Sequence, residues 1–385
     1  MLTWLHLVLR KRAVSVLLSA SLIILSVLFI VNYRYSLAVE QELARLRTAG
    51  APLNRCCFRP PLVRWENNAA PFYTAAIELA NVGGYDLQFD KSIDAMLSST
   101  PRERIDNILQ QRASMLALLA EAHSREGFHL QPMRDATAIG DTQVWESVRY
   151  MVSVAGVKAM IDVNEGHVTD ALRTSSGALH FETLFNSGSG LADEYMLSYD
   201  IDLTLQPLEK LAEGGVRGDY TTIIADLRAA RHARAAALLT AVENERSKMI
   251  DIYARVRDDE LTREESECVK YVTGKDSCLA LVERPLFYQL LPLDEYYYLQ
   301  DMNSIIDTVR AARMDDATDA TLAPDKVVAR RTAVENALDI EEGPCPSFLR
   351  LSHVFEPRAR YAFKSVDEIR YRIDALVARL QALNR

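Results

Sequence analysis

The stretch AVSVLLSASLIILSVLFIV, residues Ala13 to Val31, decides how this chain is organised. It contains no charged side chain, and because a helix rises about 1.5 Å per residue, it would span about 29 Å. The hydrocarbon core of a bilayer is about 30 Å thick. The stretch therefore predicts one transmembrane helix, which we place at residues 13–33 including its polar flank.

The residues on either side of this span give it a direction. A basic cluster lies directly before it: Arg10, Lys11 and Arg12. Such clusters stay in the cytoplasm, so the pattern predicts a cytoplasmic N-terminus, a single pass through the inner membrane and an extracytoplasmic bulk. Tyr33 and Tyr35 follow the span, where aromatic side chains are common at the membrane–water interface.

A cleaved signal peptide is the competing interpretation of the same stretch. Ser36, Leu37 and Ala38 form a small-residue site at which cleavage after Ala38 would be possible. The apolar core of a signal peptide usually covers about 7–15 residues, and this span is longer. Retention as an anchor is therefore favoured, and cleavage remains the alternative.

Composition indicates a helical protein with no nucleic-acid partner. The 385 residues are 49% hydrophobic and 25% charged, and the formal net charge is −9. An acidic balance lacks the basic face that binds nucleic acid. Ala, Leu, Arg and Glu are frequent and runs of β-branched residues are scarce, which favours helices over strands.

Periodicity along the chain predicts an all-α fold: one transmembrane helix followed by a stack of helices, either a bundle or an α-solenoid. The predicted segments are a cytoplasmic tip (1–12), the membrane helix (13–33), a stalk and linker (34–63) and an extracytoplasmic helical domain (64–385). A subdivision of that domain is placed near residues 258–290. The later helices are predicted at residues 144–163, 168–184, 191–212, 220–257, 293–314 and 366–383.

The five cysteines suggest disulfide bonds if the bulk of the chain is translocated. Cys268 and Cys278 flank a short loop around Gly274 and are the predicted pair. Cys345 could pair with Cys56 or Cys57, which would leave one thiol over. Cys56 and Cys57 are adjacent, and a bond between neighbours is strained.

Acidic residues on one predicted helix are the main candidates for catalysis. Glu194, Asp200 and Asp202 interleave with apolar residues between 191 and 212, beside Asp193. Paired carboxylates can act as general acid and base when burial separates their pKa values. The more ordinary expectation is an amphipathic helix with its acids facing solvent.

Two other polar groupings have weaker catalytic potential. His180 and Glu182 lie near His167 and Asp170, where the simpler interpretation is a solvated turn and a partly buried histidine. Residues Tyr296 to Tyr298 follow Asp294 and Glu295 and could form a platform for a sugar. We favour a structural role there, with Asp294 capping a helix.

No signature for a cofactor or metal occurs in the sequence. The HExxH, P-loop, GxGxxG and GxSxG patterns are absent, and no CxxC pair is present. We therefore predict neither a cofactor nor a metal site.

Three short segments resemble an uncharacterised family of bacterial single-pass, envelope-anchored helical proteins. They are WENNAAPFY at residues 65–73, the turn Glu165-Gly166 with Asp170-Ala171-Leu172, and AVENER at residues 241–246. The resemblance covers about residues 60 to 310. It implies the topology and the helical fold, and it implies no activity.

The sequence therefore leaves two functions to compare. The first is a membrane-tethered, non-enzymatic helical scaffold or accessory subunit of a bacterial envelope assembly, with membrane lipid and other envelope proteins as partners. The alternative is an envelope hydrolase or lyase acting on glycan or peptidoglycan, with Glu194, Asp200 or Asp202 supplying the acids and the tyrosines the platform.

Overall fold

The structure is a computed structural model that describes residues 2–53, 63–82, 92–128, 142–184, 191–258, 280–314, 332, 334 and 359–384. Within these residues the regular structure is helical, and the extended pairing consists of two isolated bridges, Asn68 with Gly127 and Gly218 with Asn384. The predicted all-α class, with one apolar N-terminal helix and a helical stack, is confirmed.

Eleven α-helices cover most of the described residues, and a 3₁₀ turn occupies Trp65–Asn67. The helices are α1 (Leu2–Thr48), α2 (Ala70–Asn81), α3 (Ile93–Ser99), α4 (Arg102–Gln111), α5 (Ala113–Ala122), α6 (Thr142–Glu165), α7 (Val168–Leu184), α8 (Leu191–Glu213), α9 (Thr221–Asp258), α10 (Ala280–Met314) and α11 (Ala359–Leu383).

The chain divides into two compact units, and the division falls inside α9 between Val242 and Glu243. Unit 1 contains α1, the end of α9 and most of α10. Unit 2 contains α2 to α8, the first part of α9 and α11.

The described part of unit 1 contains three helices, whose register is set by polar contacts. Asn32 Nδ2 donates to the Gln289 carbonyl at 3.0 Å, and Asn303 Nδ2 donates to Glu42 Oε1 at 2.6 Å. Because both numbers of each pair increase together, α1 and α10 run parallel. Arg246 Nη1 donates to Asn303 Oδ1 at 2.9 Å, and Arg257, further along α9, pairs with Glu295, which lies earlier in α10. The end of α9 therefore runs antiparallel to α10.

Unit 2 has two apolar clusters. One is formed by α2 to α6 together with parts of α7 and α8, and Phe181 and Tyr150 are fully buried in it. The other joins α7, α8, the start of α9 and α11, with Leu205, Leu227 and Ile373 at its centre. In this unit α6 packs on α7 and α8, and α11 packs on α8.

Local signals in the sequence placed several helix ends correctly. The sequence predicts a helix that starts with Asn67 or Asn68 as cap and Pro71 in its first turn. In the structure Asn68 Oδ1 accepts the Ala70 amide at 3.1 Å and Pro71 lies in the first turn of α2. Gly166 has φ +80° and separates α6 from α7, a conformation that favours glycine. A proline inside a helical segment predicts a kink or a new helix start, but α8 continues past Pro207 as one helix.

One close helix crossing in unit 2 depends on a glycine. A Cβ atom placed on Gly177 of α7 would lie 3.1 Å from the Leu119 carbonyl oxygen of α5. Because the neighbouring atom is backbone, it cannot rotate away. An alanine at residue 177 would therefore require α5 and α7 to separate by a few tenths of an ångström.

Candidate functional site

The most conspicuous surface among the described residues is the apolar side of α1. Ten large apolar side chains between Val14 and Ile30 are between 49% and 68% exposed. Of the described helices, one is long and apolar enough to cross a membrane, and it is this one. Continuous apolar surface of this size is unfavourable in water, so α1 has the properties of a membrane anchor or of a signal sequence.

The far end of α1 packs into unit 1. Residues 34–48, the first part of the predicted stalk and linker (34–63), are helical, and Val39 and Leu46 are buried. Glu42 accepts from Asn303, which in turn accepts from Arg246. The apolar span is therefore continuous with a packed helix. The basic residues Arg10, Lys11 and Arg12 lie within α1, and their side chains are outside the described part of the chain.

A cluster of charged side chains is completely buried in unit 2. Glu182 of α7, Glu194 and Asp200 of α8 and Arg234 of α9 each have an exposed fraction of 0%. Arg234 Nη1 lies 3.1 Å from Glu194 Oε2, and Arg234 Nη2 donates to the Glu182 carbonyl at 2.7 Å. A fully buried charge is tolerated only when it is paired, and Arg234 provides that pairing for Glu194.

Thr204 lies beside the two remaining acids of this buried cluster and contacts the carboxyl group of Glu182 and the backbone of Asp200. The Thr204 hydroxyl lies 2.9 Å from Glu182 Oε1 and 3.3 Å from the Asp200 carbonyl oxygen. Within the described structure, Glu182 Oε2 and both carboxyl oxygens of Asp200 have no hydrogen-bond partner. Burial raises the pKa of Asp200 to about 8, an effect that the Arg149 guanidinium opposes. Burial, together with the Asp200 charge, also raises the pKa of Glu182 well above its ordinary value.

This cluster holds protons but offers little to a large substrate. A carboxyl group with a raised pKa is suited to acid–base work, and such groups mark many active sites. Glu194 and Asp200, however, have no exposed surface, so the expectation that the acids of this helix face solvent is wrong for these two. Asp202 is different: it is partly exposed and paired with Arg372 of α11, which also holds Glu209 at 2.8 Å.

A second polar group in unit 2, formed by His123, His180 and Asp226, is partly exposed to solvent. His123 Nε2 lies 3.1 Å from Asp226 Oδ2, and this hydrogen bond raises the pKa of His123. Its ring meets that of His180 edge to face at 5.2 Å. His180 Nε2 lies 2.6 Å from the Arg125 carbonyl oxygen, and burial lowers the pKa of His180. The pair can exchange protons with solvent through His123, which is 30% exposed.

The other histidine grouping is a solvated turn. His167 is 60% exposed and lies 3.7 Å from Glu165, while Asp170 pairs with Arg173 at 3.1 Å. Among the described residues, no group of three histidine, cysteine or acidic side chains is arranged to hold a metal ion.

The acidic tyrosine segment lies in the middle of α10. Asp294 is buried fourteen residues after the start of the helix, so the expectation that it caps a helix is wrong. Glu295 is fully buried and paired with Arg257, and burial raises its pKa. Tyr298 is buried against Tyr253, with ring centroids 6.0 Å apart.

Comparison with models of protein families, with curated proteins and with solved structures gives no match. Any statement about function therefore depends on the geometry of this chain alone.

The five predicted disulfide candidates, Cys56, Cys57, Cys268, Cys278 and Cys345, lie outside the described residues.

Sequence reasoning missed Arg234, His123 and Asp226. A signal for Arg234 exists, since it lies on the same helical face as Leu227, Ala230 and Leu238, where an apolar side chain would be expected. His123 and Asp226 are 103 residues apart in the chain, and no short motif connects them.

Proposed function

We propose that this protein is a membrane-tethered helical scaffold or accessory subunit of a bacterial envelope assembly, without catalytic activity of its own. The observation that carries the proposal is the exposed apolar surface of α1, from Val14 to Ile30, joined without interruption to a packed helical unit. Helices stacked behind such an anchor offer broad surfaces to partner proteins. The partners in this proposal are membrane lipid and other envelope proteins.

The packing of α1 supports an anchor that is retained. Cleavage after Ala38 would remove Asn32 and Tyr35, which contact Gln289 and Tyr296 of α10. It would also leave the buried Val39 as the first residue of the chain. A signal peptide normally leaves without taking part in the packing of the mature protein.

The burial of the acids counts against the hydrolase alternative. A glycan must touch the acid that protonates it and the base that activates water. Glu194 and Asp200 have no exposed surface, and Asp202 is held by Arg372. The predicted sugar platform, Tyr296 to Tyr298, also has less accessible surface than the alternative needs, because Tyr298 is only 2% exposed.

The anchor is tested by placing charges at the centre of the apolar span. An arginine at the centre of a transmembrane helix costs about 2.5–3.5 kcal/mol, so Leu22→Arg combined with Ile23→Arg should largely abolish insertion. We expect the wild-type protein to float with phospholipid vesicles in a density gradient and the double variant to stay at the bottom. An intact mass equal to that of the whole chain should accompany the floating fraction.

The matched control places the same charge on apolar surface elsewhere. Val82 is 65% exposed at the end of α2, and Val82→Arg should float as the wild type does. A double variant that floats normally, or a floating species cut after Ala38, would contradict the retained anchor.

The scaffold role and the orientation are tested together by cross-linking in the native envelope. A reagent that cannot pass the inner membrane should join the translocated bulk to defined partner proteins in fixed ratio. Cross-links that require a membrane-permeant reagent would show the opposite orientation. A chain that stays monomeric with both reagents, and that leaves mild detergent as a free monomer, would rule out the scaffold role.

A further inference from the structure

Aromatic side chains from α1 and α10 meet where the apolar span ends. The Tyr35 ring centroid lies 5.5 Å from that of Tyr296 and 6.3 Å from that of Tyr297. The rings of Tyr296 and Tyr297 meet edge to face at 6.0 Å. Tyr33 and Tyr297 are 64% and 38% exposed. Tyr35, Tyr296 and Tyr297 are therefore in contact, while Tyr33, two residues before Tyr35, lies on the opposite side of α1. We call these four side chains together the tyrosine surface.

The position of the tyrosine surface along α1 can be compared with the dimensions of a bilayer. If residues 13–31 fill the hydrocarbon core, Tyr33 and Tyr35 lie about 3–6 Å beyond its edge. The headgroup layer on each side of a bilayer is about 5–7 Å thick, which is half of the difference between the full bilayer and its core. Both tyrosines therefore fall within the headgroup layer. The contacts of Tyr35 place Tyr296 and Tyr297 at the same level.

We propose that Tyr33, Tyr35, Tyr296 and Tyr297 form a lipid-contacting surface in the headgroup layer, so that α10 touches the bilayer as well as α1. Tyrosine suits this layer because its ring is apolar while its hydroxyl remains hydrated. Arg34, exposed between two of the tyrosines, can reach lipid phosphates with its long side chain. The inference rests on the proposed anchor and adds a second element that contacts the same membrane.

The packing of the tyrosine surface favours lipid over a sugar. A sugar platform needs an open aromatic face, and of residues 296–298 only Tyr297 is exposed. Tyr296 lies against Tyr35, and Tyr298 is buried. Tyr33 follows the exposed apolar side chains of α1 that end at Ile30 and lies on the same side of the helix as Phe29 and Ile30. A lipid bilayer is the one partner that would cover both.

The test measures the depth of tryptophan probes in the full-length protein, reconstituted in phospholipid vesicles. The probes are Tyr297→Trp and, as a second site in the same surface, Tyr33→Trp. The matched control is Ser304→Trp, exposed on α10 about 10 Å further along the helix from Tyr297 and beside the Glu42 contact. Emission is recorded in vesicles containing lipids brominated either near the headgroup or near the end of the acyl chain, with unbrominated vesicles as reference.

We expect the emission added by Tyr297→Trp and Tyr33→Trp to be quenched more strongly by bromine near the headgroup than by bromine near the chain end. The emission added by Ser304→Trp should be unchanged in both vesicles. Two unquenched tyrosine-site probes in a protein that still floats with the vesicles would overturn the lipid-contacting surface and leave the anchor intact. Equal quenching at residue 304 would also overturn it, and a wild-type protein that does not float would remove the anchor as well.

Discussion

Replacing Arg234 with methionine should destabilise the protein by about 3–5 kcal/mol, because it leaves the buried Glu194 carboxylate without its cationic partner. Arg234 and Glu194 are both 0% exposed and lie 3.1 Å apart. The Glu182 carbonyl oxygen would lose its donor at the same time. The free energy of unfolding, measured by chemical denaturation of the full-length protein in mild detergent, gives the size of the effect.

Two further variants distinguish loss of the pair from loss of packing. Arg173→Met removes the arginine of an exposed pair, since Arg173 is 65% exposed and lies 3.1 Å from Asp170, and it should cost less than about 1 kcal/mol. Adding Glu194→Leu to Arg234→Met removes both charges and should recover part of the lost stability. A double variant no more stable than Arg234→Met would show that the two side chains do not act as a pair.

Replacing Asp200 with asparagine should make the protein more stable at pH 8 and should flatten its dependence on pH. The pKa of Asp200 is about 8 in the folded protein, against about 3.9 for an unfolded aspartate. Between these values the folded state holds a proton that the unfolded state has released. The contribution of Asp200 to stability is therefore fully present below about pH 4 and is lost as pH rises towards 8.

The magnitude follows from the same linkage. Each fully displaced proton changes the free energy of unfolding by about 1.4 kcal/mol per pH unit, so Asp200 alone should lower it by about 4 kcal/mol between pH 5 and pH 8. Asparagine resembles the protonated acid and cannot ionise, so Asp200→Asn removes this part of the slope. Denaturation of both proteins at pH 5, 6, 7 and 8 measures the difference.

A residual slope is expected in the Asp200→Asn variant, because burial also raises the pKa of Glu182. Combining Asp200→Asn with Glu182→Gln should flatten the profile further. The control is Asp94→Asn, since Asp94 is exposed in the first turn of α3, and this change should leave the profile of the wild type in place. A wild-type protein whose stability is constant from pH 5 to pH 8 would contradict the inference that Asp200 and Glu182 are buried in their protonated form.

Local sequence signals predicted the helices well because they depend on neighbouring residues. The turn at Gly166 and the start of α2 at Asn68 and Pro71 both follow from backbone conformation and side-chain capping. Thr100 and Pro101 predict the start of one helix that runs to about His123, whereas the structure divides this segment at Arg112 into α4 and α5. The Arg112 side chain donates to the Leu79 carbonyl at 2.6 Å, a contact with α2 that no local pattern reveals.

The buried polar cluster was harder to predict, because burial is a property of the packed fold. Glu194 and Asp200 were recognised as candidates, but an amphipathic pattern predicts that acids face water. For Glu194, burial is made possible by Arg234, which lies forty residues later in the chain and on a different helix. Likewise, Asp294 has the sequence context of a helix cap, and only the earlier start of α10 places it inside a helix.

The unbroken length of α1 has a mechanical consequence. A helix of 47 residues extends about 70 Å, and its last turns are fixed to α10 by Asn32, Tyr35 and Glu42. No glycine or proline interrupts it before Gly50, so it contains no residue at which bending is easy. In the proposed membrane arrangement, torque applied to the apolar part by a neighbouring helix would therefore turn unit 1 by the same angle. A change of helix tilt in the bilayer would displace unit 1 sideways.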